Sequence, residues 1–249
     1  MKKIRVNTDG TLRAATVDEQ AIIHVDGKTM APEQTRLRPV TEHAVICTAL
    51  NYTGHYQQLV DAFHQPPHNQ PPRQPVFFIK PVNTLAGHLD EVACPDGVAE
   101  IHTGAGLAVV IDRTASRVTQ EQVYDYIGGY TLYNDFTLAE DSYLRPPVTS
   151  KCLDGYGPVG PYITDRAAIA DPHELVISTY LNGALQQTAS TKDLRYSIPA
   201  LIEALTEFMT LAPGAVVVSG FPPGRVAVRR GDEVRVEIAQ LGSLTNRII

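Results

Sequence analysis

The sequence predicts an α+β fold in which β-rich mixed sheets curl into a sandwich or roll and the helices are few and short. Two observations predict it. Short apolar or alternating runs, separated by turn signals, recur along most of the chain, whereas only three segments have helical periodicity. The chain has 249 residues, of which 43% are hydrophobic, so it is long enough to bury a full core.

The first 40 residues alternate short β-like runs with turns. Asp9-Gly10 and Asp26-Gly27 are dipeptides typical of hairpin turns, because both tolerate a positive φ angle. We therefore predict a small N-terminal β appendage over residues 1–40, followed by one larger domain over residues 41–249.

The first half of the larger domain contains three predicted strands and one helix. A proline-rich stretch over 64–75 is unsuited to a helix or a central strand, so it predicts a loop, and loops of this length often form lids. In chain order, the predicted elements are a strand over 45–50, an amphipathic helix over 55–63, and strands over 76–80 and 98–112.

The second half contains two further predicted helices among strands. A helix over 119–127 begins after Thr119 as the N-cap, and a hairpin over 174–191 turns at Asn182-Gly183. The most regular helical pattern covers 198–211, ends before Pro213-Gly214, and places on one stripe Leu201, Ile202, Leu205, Phe208 and Met209. A strand over 130–135 and β-structure after residue 214 complete the prediction.

Composition excludes several classes of protein. A net charge of −6 and a pI near 5.7 argue against a nucleic-acid footprint. No apolar run is long enough to span a bilayer, and the first ten residues lack the apolar core of a signal peptide. Cys47, Cys94 and Cys152 have no metal-like spacing and are expected to be reduced and mostly buried. We expect a soluble cytoplasmic protein.

The predicted strand over 98–112 has an unusual pair of glycines. Gly104 and Gly106 are two residues apart, so both face the same side of the sheet. Two missing side chains on one face indicate a close approach by a backbone or a ligand, or the loss of functional groups.

Polar residues at element ends are candidates for a site. His55 lies in the first predicted helix, Lys80 and Asp135 end strands, and Lys151 precedes Asp154 in a glycine-rich segment. A loop over 219–224, SGFPPG, can present backbone N–H groups to an anion. Each feature alone is also common at solvated surfaces and turns.

Taken in order, these features resemble the fumarylacetoacetate hydrolase family over nearly the whole chain from Val45 onward. The matching segments are 50–59, 75–87, 107–112, 126–135, 151–161, 181–191, 211–224 and 231–248. Segment 142–161 is most similar to the bifunctional isomerases/decarboxylases of 4-hydroxyphenylacetate (homoprotocatechuate) catabolism, which consist of two related halves. This chain resembles the first half.

The resemblance implies a divalent metal site that this sequence lacks in part. Family members hold Mg²⁺ or Mn²⁺ with two glutamates, spaced E-x-E on a strand, and a later aspartate. Asp135 matches the aspartate, but Gly104 and Gly106 stand at the two glutamate positions. Asp135 is therefore the only candidate metal ligand, and we assign no cofactor.

The resemblance also implies a set of site residues. Two positions depart from the family: Gln58 replaces a glutamate that would activate water with His55, and Phe221 replaces the second threonine of the 219–224 loop. The expected catalytic residues are His55, Lys80, Lys151 and Asp135, and the expected substrate-binding residues are Ser219, Gly220, Tyr133 and Asp154.

Three functions remain open. The first is a subunit of a 2-hydroxyhepta-2,4-diene-1,7-dioate isomerase / 5-oxopent-3-ene-1,2,5-tricarboxylate decarboxylase, binding a small dicarboxylate or 2-oxo acid. The second is a non-catalytic structural partner of a metal-bearing homologous subunit. The third, an acylpyruvate-type hydrolase, is disfavoured by the missing glutamates and by Gln58. The resemblance implies a homodimer or a heteromer with a homologous subunit.

Overall fold

Three β-sheets and a few short helices form the structure, a computed structural model that describes residues 1–66, 69–139 and 147–249. Residues 67 and 68 of the proline-rich segment, and residues 142–146 of the segment 142–161, lie outside the described residues. The predicted β-rich fold with few short helices is confirmed, and the sheets are open rather than closed into a barrel.

Strands outnumber helices throughout the described ranges. In chain order, the strands are β1 (Lys2–Asn7), β2 (Leu12–Val17), β3 (Ile23–Val25), β4 (Lys28–Met30), β5 (Val45–Ala49), β6 (Val76–Lys80), β7 (Leu85–Ala86), β8 (Glu91–Val92), β9 (Ile101–Thr103), β10 (Ala105–Ile111), β11 (Ile127–Asn134), β12 (Gly157–Asp165), β13 (Val176–Leu181), β14 (Ala184–Ser190), β15 (Val216–Val218), β16 (Val226–Val228), β17 (Glu233–Ile238) and β18 (Gly242–Ile248). The α-helices are α1 (Thr53–Phe63), α2 (Val148–Lys151) and α3 (Ile198–Thr206), and 3₁₀ turns cover Pro32–Gln34, Val82–Thr84, Gln120–Asp125, Arg166–Ala168 and Thr191–Asp193.

The largest sheet has the strand order β4-β3-β2-β1-β12-β11-β10-β15-β5-β6, with β7 paired to β12. A five-stranded sheet, β14-β13-β17-β18-β8, packs on one face of it. The main core lies between β10 and β11 of the large sheet and β13, β17 and helix α3. A second core covers the opposite face of β10, and this second face carries the candidate site.

The N-terminal strands continue the large sheet. β1 pairs antiparallel with β12, and β3 and β4 form a hairpin through Asp26-Gly27, both of which have positive φ angles. Strand β12 was not predicted from the sequence. It is buried along almost its whole length, and such a strand lacks the polar/apolar alternation that would reveal it.

The predicted single strand over 98–112 is wrong in one respect, because it is divided at Gly104. β9 pairs with β16, whereas β10 pairs with β11 and β15. The two strands therefore belong to different sheets, and Gly104 lies at the point where the chain changes partners. A glycine at such a point leaves room for the neighbouring elements to approach.

Two helix predictions need correction. Residues 120–125 form a 3₁₀ turn after Thr119 rather than an α-helix, and α3 ends at Thr206 rather than at residue 211. Phe208, which was placed on the buried stripe of that helix, is 70% exposed because the chain leaves the helix before it. Cys47 and Cys94 are buried free thiols, as predicted. None of the helices in the described ranges is long and apolar enough to cross a membrane.

Candidate active site

Asp135 forms the centre of the site, directly after strand β11. Its backbone N–H donates to the carbonyl oxygen of Gly104 at 2.8 Å, and Tyr133 lies directly opposite Gly106 in the β10–β11 pair. Because side chains alternate along a strand, Asp135 faces the same side as the two glycines. Gly104 and Gly106 therefore share a face as predicted, and the structure places Asp135 on that same face.

Three cationic side chains surround the Asp135 carboxylate. Lys80 Nζ lies 2.9 Å from Oδ1, Lys151 Nζ lies 3.1 Å from Oδ2, and Arg225 Nη2 lies 2.5 Å from Oδ2. Arg225 Nη1 also donates to the Asp135 backbone carbonyl at 2.8 Å. The Asp135 side chain is fully buried, so these contacts replace its hydration.

Lys80 is the most deeply buried of the three cations. Strand β6 ends at this residue because Pro81, which follows it, lacks a backbone N–H. Its ammonium group donates to Asp135 Oδ1 and to the carbonyl oxygens of Phe136 and Tyr156, at distances of 2.9, 3.0 and 2.9 Å. These three bonds use all three ammonium hydrogens, so Lys80 fixes Asp135 and adds a buried positive charge.

The electrostatics keep Asp135 ionised. Burial alone would raise the pKa of this carboxyl, but the positive charges of Lys80, Arg225 and Lys151 hold it well below its usual range. Among the described residues, this one carboxylate therefore contacts three cations, which hold it in its ionised form.

Side chains occupy the space that the two glycines leave. A Cβ atom on Gly104 would lie 2.6 Å from Arg225 Nη1, and one on Gly106 would lie 2.6 Å from Val218 Cγ1 and 2.9 Å from the Gly220 carbonyl oxygen. Phe221 approaches the same point, since its Cε1 lies 3.1 Å from that position. The first interpretation of the glycine pair, a close approach by neighbouring groups, is therefore present in the structure, whereas the loss of two metal ligands stays a prediction.

The described residues around Asp135 do not fit a divalent metal. The Asp135 oxygens already accept bonds from three cations, and the Arg225 guanidinium lies against Gly104, where the resemblance implies a glutamate. Within the described ranges, no group of three or more His, Cys, Asp or Glu side chains could hold a metal ion. These residues therefore offer a ligand charged hydrogen-bond donors and no set of metal ligands.

Ser219 and Gly220 lie close to the residues that precede helix α1, the helix that carries His55. His55 is half-buried in the first turn of α1, and Asn51, just before this helix, donates to the Ser219 carbonyl oxygen at 2.7 Å. Gly220 has a φ angle of +142°, a conformation that L side chains rarely adopt. The Ser219 hydroxyl is buried and has no hydrogen-bond partner among the described residues, so its hydrogen-bonding capacity is unused by them.

Aromatic rings connect the 219–224 loop to the cation cluster. The Phe221 ring centroid lies 6.3 Å from that of the fully buried Tyr133 and 5.3 Å from the Arg225 guanidinium carbon. Lys151 Nζ lies 5.4 Å from the Phe78 ring centroid. The loop and the cluster therefore form the borders of one site.

Asp154 lies apart from this cluster. It is exposed, and its carboxylate accepts a hydrogen bond from Asn83 Nδ2 at 2.7 Å. None of its contacts with described residues reaches Lys80, Lys151 or Arg225. The structure thus brings Lys80, Lys151, Asp135 and Tyr133 together and leaves Asp154 in a surface turn.

Arg225 was not predicted from the sequence. It immediately precedes β16, whose Val226 pairs with Thr103 of β9, so the antiparallel register places Arg225 across from Gly104. The two residues are far apart in the chain, and such a pairing has no local signature. The available hint was a cation directly after the glycine-bounded 219–224 loop.

Comparison with protein families gives one match over most of the chain. Residues 44–249 match the family described as fumarylacetoacetate (FAA) hydrolase C-terminal.

Individual relatives agree with this. The chain is 42% identical over 202 residues to a 4-hydroxyphenylacetate degradation bifunctional isomerase/decarboxylase of Salmonella dublin, covering 80% of this chain and 45% of the relative. It is 38% identical over 213 residues to the protein of the same description from Escherichia coli, covering 85% and 48%. The chain spans about half the length of these relatives.

A solved structure matches over the whole chain. The crystal structure of 2-hydroxyhepta-2,4-diene-1,7-dioate isomerase from Mycobacterium marinum superposes with a TM-score of 0.81 at 26% sequence identity, covering 100% of this chain and 98% of that protein.

Proposed function

The chain belongs to the fumarylacetoacetate hydrolase family, and from that premise we propose that it is an isomerase/decarboxylase subunit of 4-hydroxyphenylacetate catabolism. The substrate of the isomerase reaction is 2-hydroxyhepta-2,4-diene-1,7-dioate, a dianionic dienol. The substrate of the decarboxylase reaction is 5-oxopent-3-ene-1,2,5-tricarboxylate. The descriptions of the relatives and of the Mycobacterium marinum structure support this choice.

One observation carries the proposal: three cations surround a single buried carboxylate. In the isomerisation, a proton leaves the enol oxygen and a conjugated carbon accepts a proton, so no atom is lost overall. Negative charge develops on the oxygen between these two events. Cationic groups beside that oxygen stabilise the developing charge, and they can also pair with the substrate carboxylates.

The residues divide these tasks. Lys151 neutralises developing charge on the substrate, and His55 transfers the proton. Asp135 and Lys80 are completely buried, so they are held in place by the protein. Their contacts with each other, and those of Asp135 with Lys151 and Arg225, fix the positions of these charged groups. Ser219, Gly220 and Tyr133 border the substrate, and the binding role of Asp154 stays a prediction.

The first test measures ketonisation of purified dienol by its ultraviolet absorbance, with and without EDTA. We expect activity that EDTA does not change. His55→Ala should lose about 10²-fold or more, the usual scale for a lost proton-transfer group, and Lys151→Ala should lose about as much, the usual scale for a lost group that stabilises developing charge. Lys192→Ala is the control, since Lys192 is exposed and pairs with Glu174. Activity that EDTA abolishes and Mg²⁺ restores would contradict the proposal, as would full activity in both variants.

A second candidate function is a structural partner for a homologous subunit. It is favoured by the coverage of about half of the curated relatives, and by exposed apolar side chains at and beside edge strand β6, where Ile79 is 56% and Val82 is 57% exposed. Absence of activity in the purified chain, together with activity on mixing with a homologous metal-bearing chain, would favour this function over the first.

A further inference from the structure

Arg225 lies between Gly104 and Asp135, two of the positions for which the resemblance implies metal ligands. Its guanidinium lies against Gly104 on one side and Asp135 on the other, and it contacts the Phe221 ring. The side chain is 24% exposed, whereas Lys80 is fully buried and Lys151 is 6% exposed. Of the three cations, Arg225 is therefore the one most accessible from solvent.

The guanidinium retains unused hydrogen-bonding capacity. It has five N–H groups, and two of them donate to Asp135. No other described residue accepts a hydrogen bond from it. A planar guanidinium with donors to spare is suited to a carboxylate, which it can bind through two parallel bonds.

From this geometry we propose that Arg225 acts as a built-in replacement for the metal ion and binds a carboxylate of a small organic dianion without any divalent cation. This inference deepens the proposed function and rests on it for the location of the site. It is tested by binding alone, so that a failure of the reaction and a failure of the binding site are distinguishable.

The test is calorimetric titration of the EDTA-treated chain with 2-oxoglutarate, an unreactive 2-oxo dicarboxylate. We expect binding that added Mg²⁺ does not strengthen, a loss of affinity of about tenfold or more in Arg225→Gln, and a smaller loss in Arg225→Lys, which keeps the charge but not the paired donors. Arg229→Gln is the matched control, because Arg229 is 72% exposed and pairs with Glu100 instead.

Three results of this titration would contradict the inference. Absence of binding, binding that requires Mg²⁺, or equal affinity in Arg225→Gln and the wild type would each overturn the inference. Thermal unfolding shows whether Arg225→Gln folds. If it does not, the affinity of Arg225→Lys for 2-oxoglutarate decides between the outcomes. An affinity equal to that of the wild type, together with a requirement for Mg²⁺, would count against the proposal. Binding without ketonisation would leave the inference standing and reject the proposed function.

A second measurement asks whether arginine and metal exclude each other. The Gly104→Glu/Arg225→Ala double variant removes the guanidinium and adds a carboxylate on the same face as Asp135. We expect this variant to bind Mn²⁺, measured by electron paramagnetic resonance, at least about tenfold more tightly than the wild type, because a second carboxylate oxygen donor suits a hard cation. Equal Mn²⁺ affinity in the two proteins would show that Arg225 does not replace the ion.

Discussion

At the scale of single residues, Asp135 is the residue to which the cations of the site are bound. It is a fully buried carboxylate whose oxygens accept bonds from Lys80, Lys151 and Arg225. A buried charge is tolerated only when it is paired, so removal of this one carboxylate takes a buried anionic partner from three cations at once. The same residue therefore supports the fold and fixes the cations of the candidate site.

We expect Asp135→Asn to lower the free energy of unfolding by about 3–5 kcal/mol, the range observed when one partner of a buried ion pair is removed. Urea denaturation of the wild type and the variant measures this difference. Asp154→Asn is the matched control: it makes the same chemical change at an exposed aspartate, and its effect should stay within about 0.5 kcal/mol. Similar losses in both variants would contradict the role given to Asp135.

At the scale of elements, the division of the predicted strand at Gly104 organises the site. β10, after this residue, belongs to the large sheet, whereas β9, before it, lies outside that sheet and pairs with β16. This second pairing places Arg225 opposite Gly104, while the β10–β11 pairing leads to Asp135 on the other side. A single change of partners thus brings two distant parts of the chain into contact.

The two glycines should respond differently to the same added methyl group. At Gly106 the methyl would meet Val218 and the Gly220 backbone oxygen at 2.6 and 2.9 Å, and neither can move easily, so Gly106→Ala should lower the free energy of unfolding by about 1–3 kcal/mol. At Gly104 it would meet the end of the flexible Arg225 side chain, so Gly104→Ala should change stability less and weaken dicarboxylate binding. Chemical denaturation and calorimetry compare the two, and equal stability losses would be the contrary result.

Local signals account for what could be predicted at this scale. The hairpins at Asp26-Gly27 and Asn182-Gly183 and the strand ending at Lys80 were predicted because turn chemistry and apolar runs are properties of neighbouring residues. The pairing of β9 with β16 depends on contacts between residues far apart in the chain, and for that reason Arg225 was missed. The 3₁₀ turn at 120–125 and the early end of α3 reflect packing that overrides helical propensity.

At the scale of the whole molecule, His88 connects parts of the fold that lie far apart in the sequence. It is buried, its Nε2 is 2.9 Å from the carbonyl oxygen of Pro32, and its Nδ1 accepts a hydrogen bond from the Thr245 backbone N–H at 3.1 Å. Pro32 follows the N-terminal strands, and Thr245 belongs to β18 of the five-stranded sheet. A neutral imidazole satisfies both bonds, whereas a protonated one cannot accept.

This arrangement predicts lower stability in mild acid. Burial lowers the pKa of His88, although the bond to Pro32 and the carboxylate of Asp90 partly oppose the shift. In the window between the folded-state pKa and the unfolded value near 6.5, the unfolded chain binds more protons, so stability rises with pH. The free energy of unfolding should thus be smaller at about pH 5 than at about pH 7.5, with a slope from this one group of at most about 1.4 kcal/mol per pH unit.

The His88→Gln variant isolates that contribution. Glutamine keeps a donor and an acceptor but does not titrate, so the difference in unfolding free energy between wild type and variant should change with pH across this window. Denaturant titrations at several pH values measure it. A difference that stays constant from about pH 5 to about pH 7.5 would show that His88 is not the titrating group.

The position of Arg225 has a consequence for how the site is filled. A dissociable ion follows mass action, so the loaded fraction of a protein falls when the ion becomes scarce. A guanidinium tethered to the backbone is present at a high effective concentration that dilution, dialysis or competing chelators leave unchanged. Every molecule of the protein therefore carries this positive charge, and the rotamer of Arg225 alone decides whether its guanidinium lies in the site.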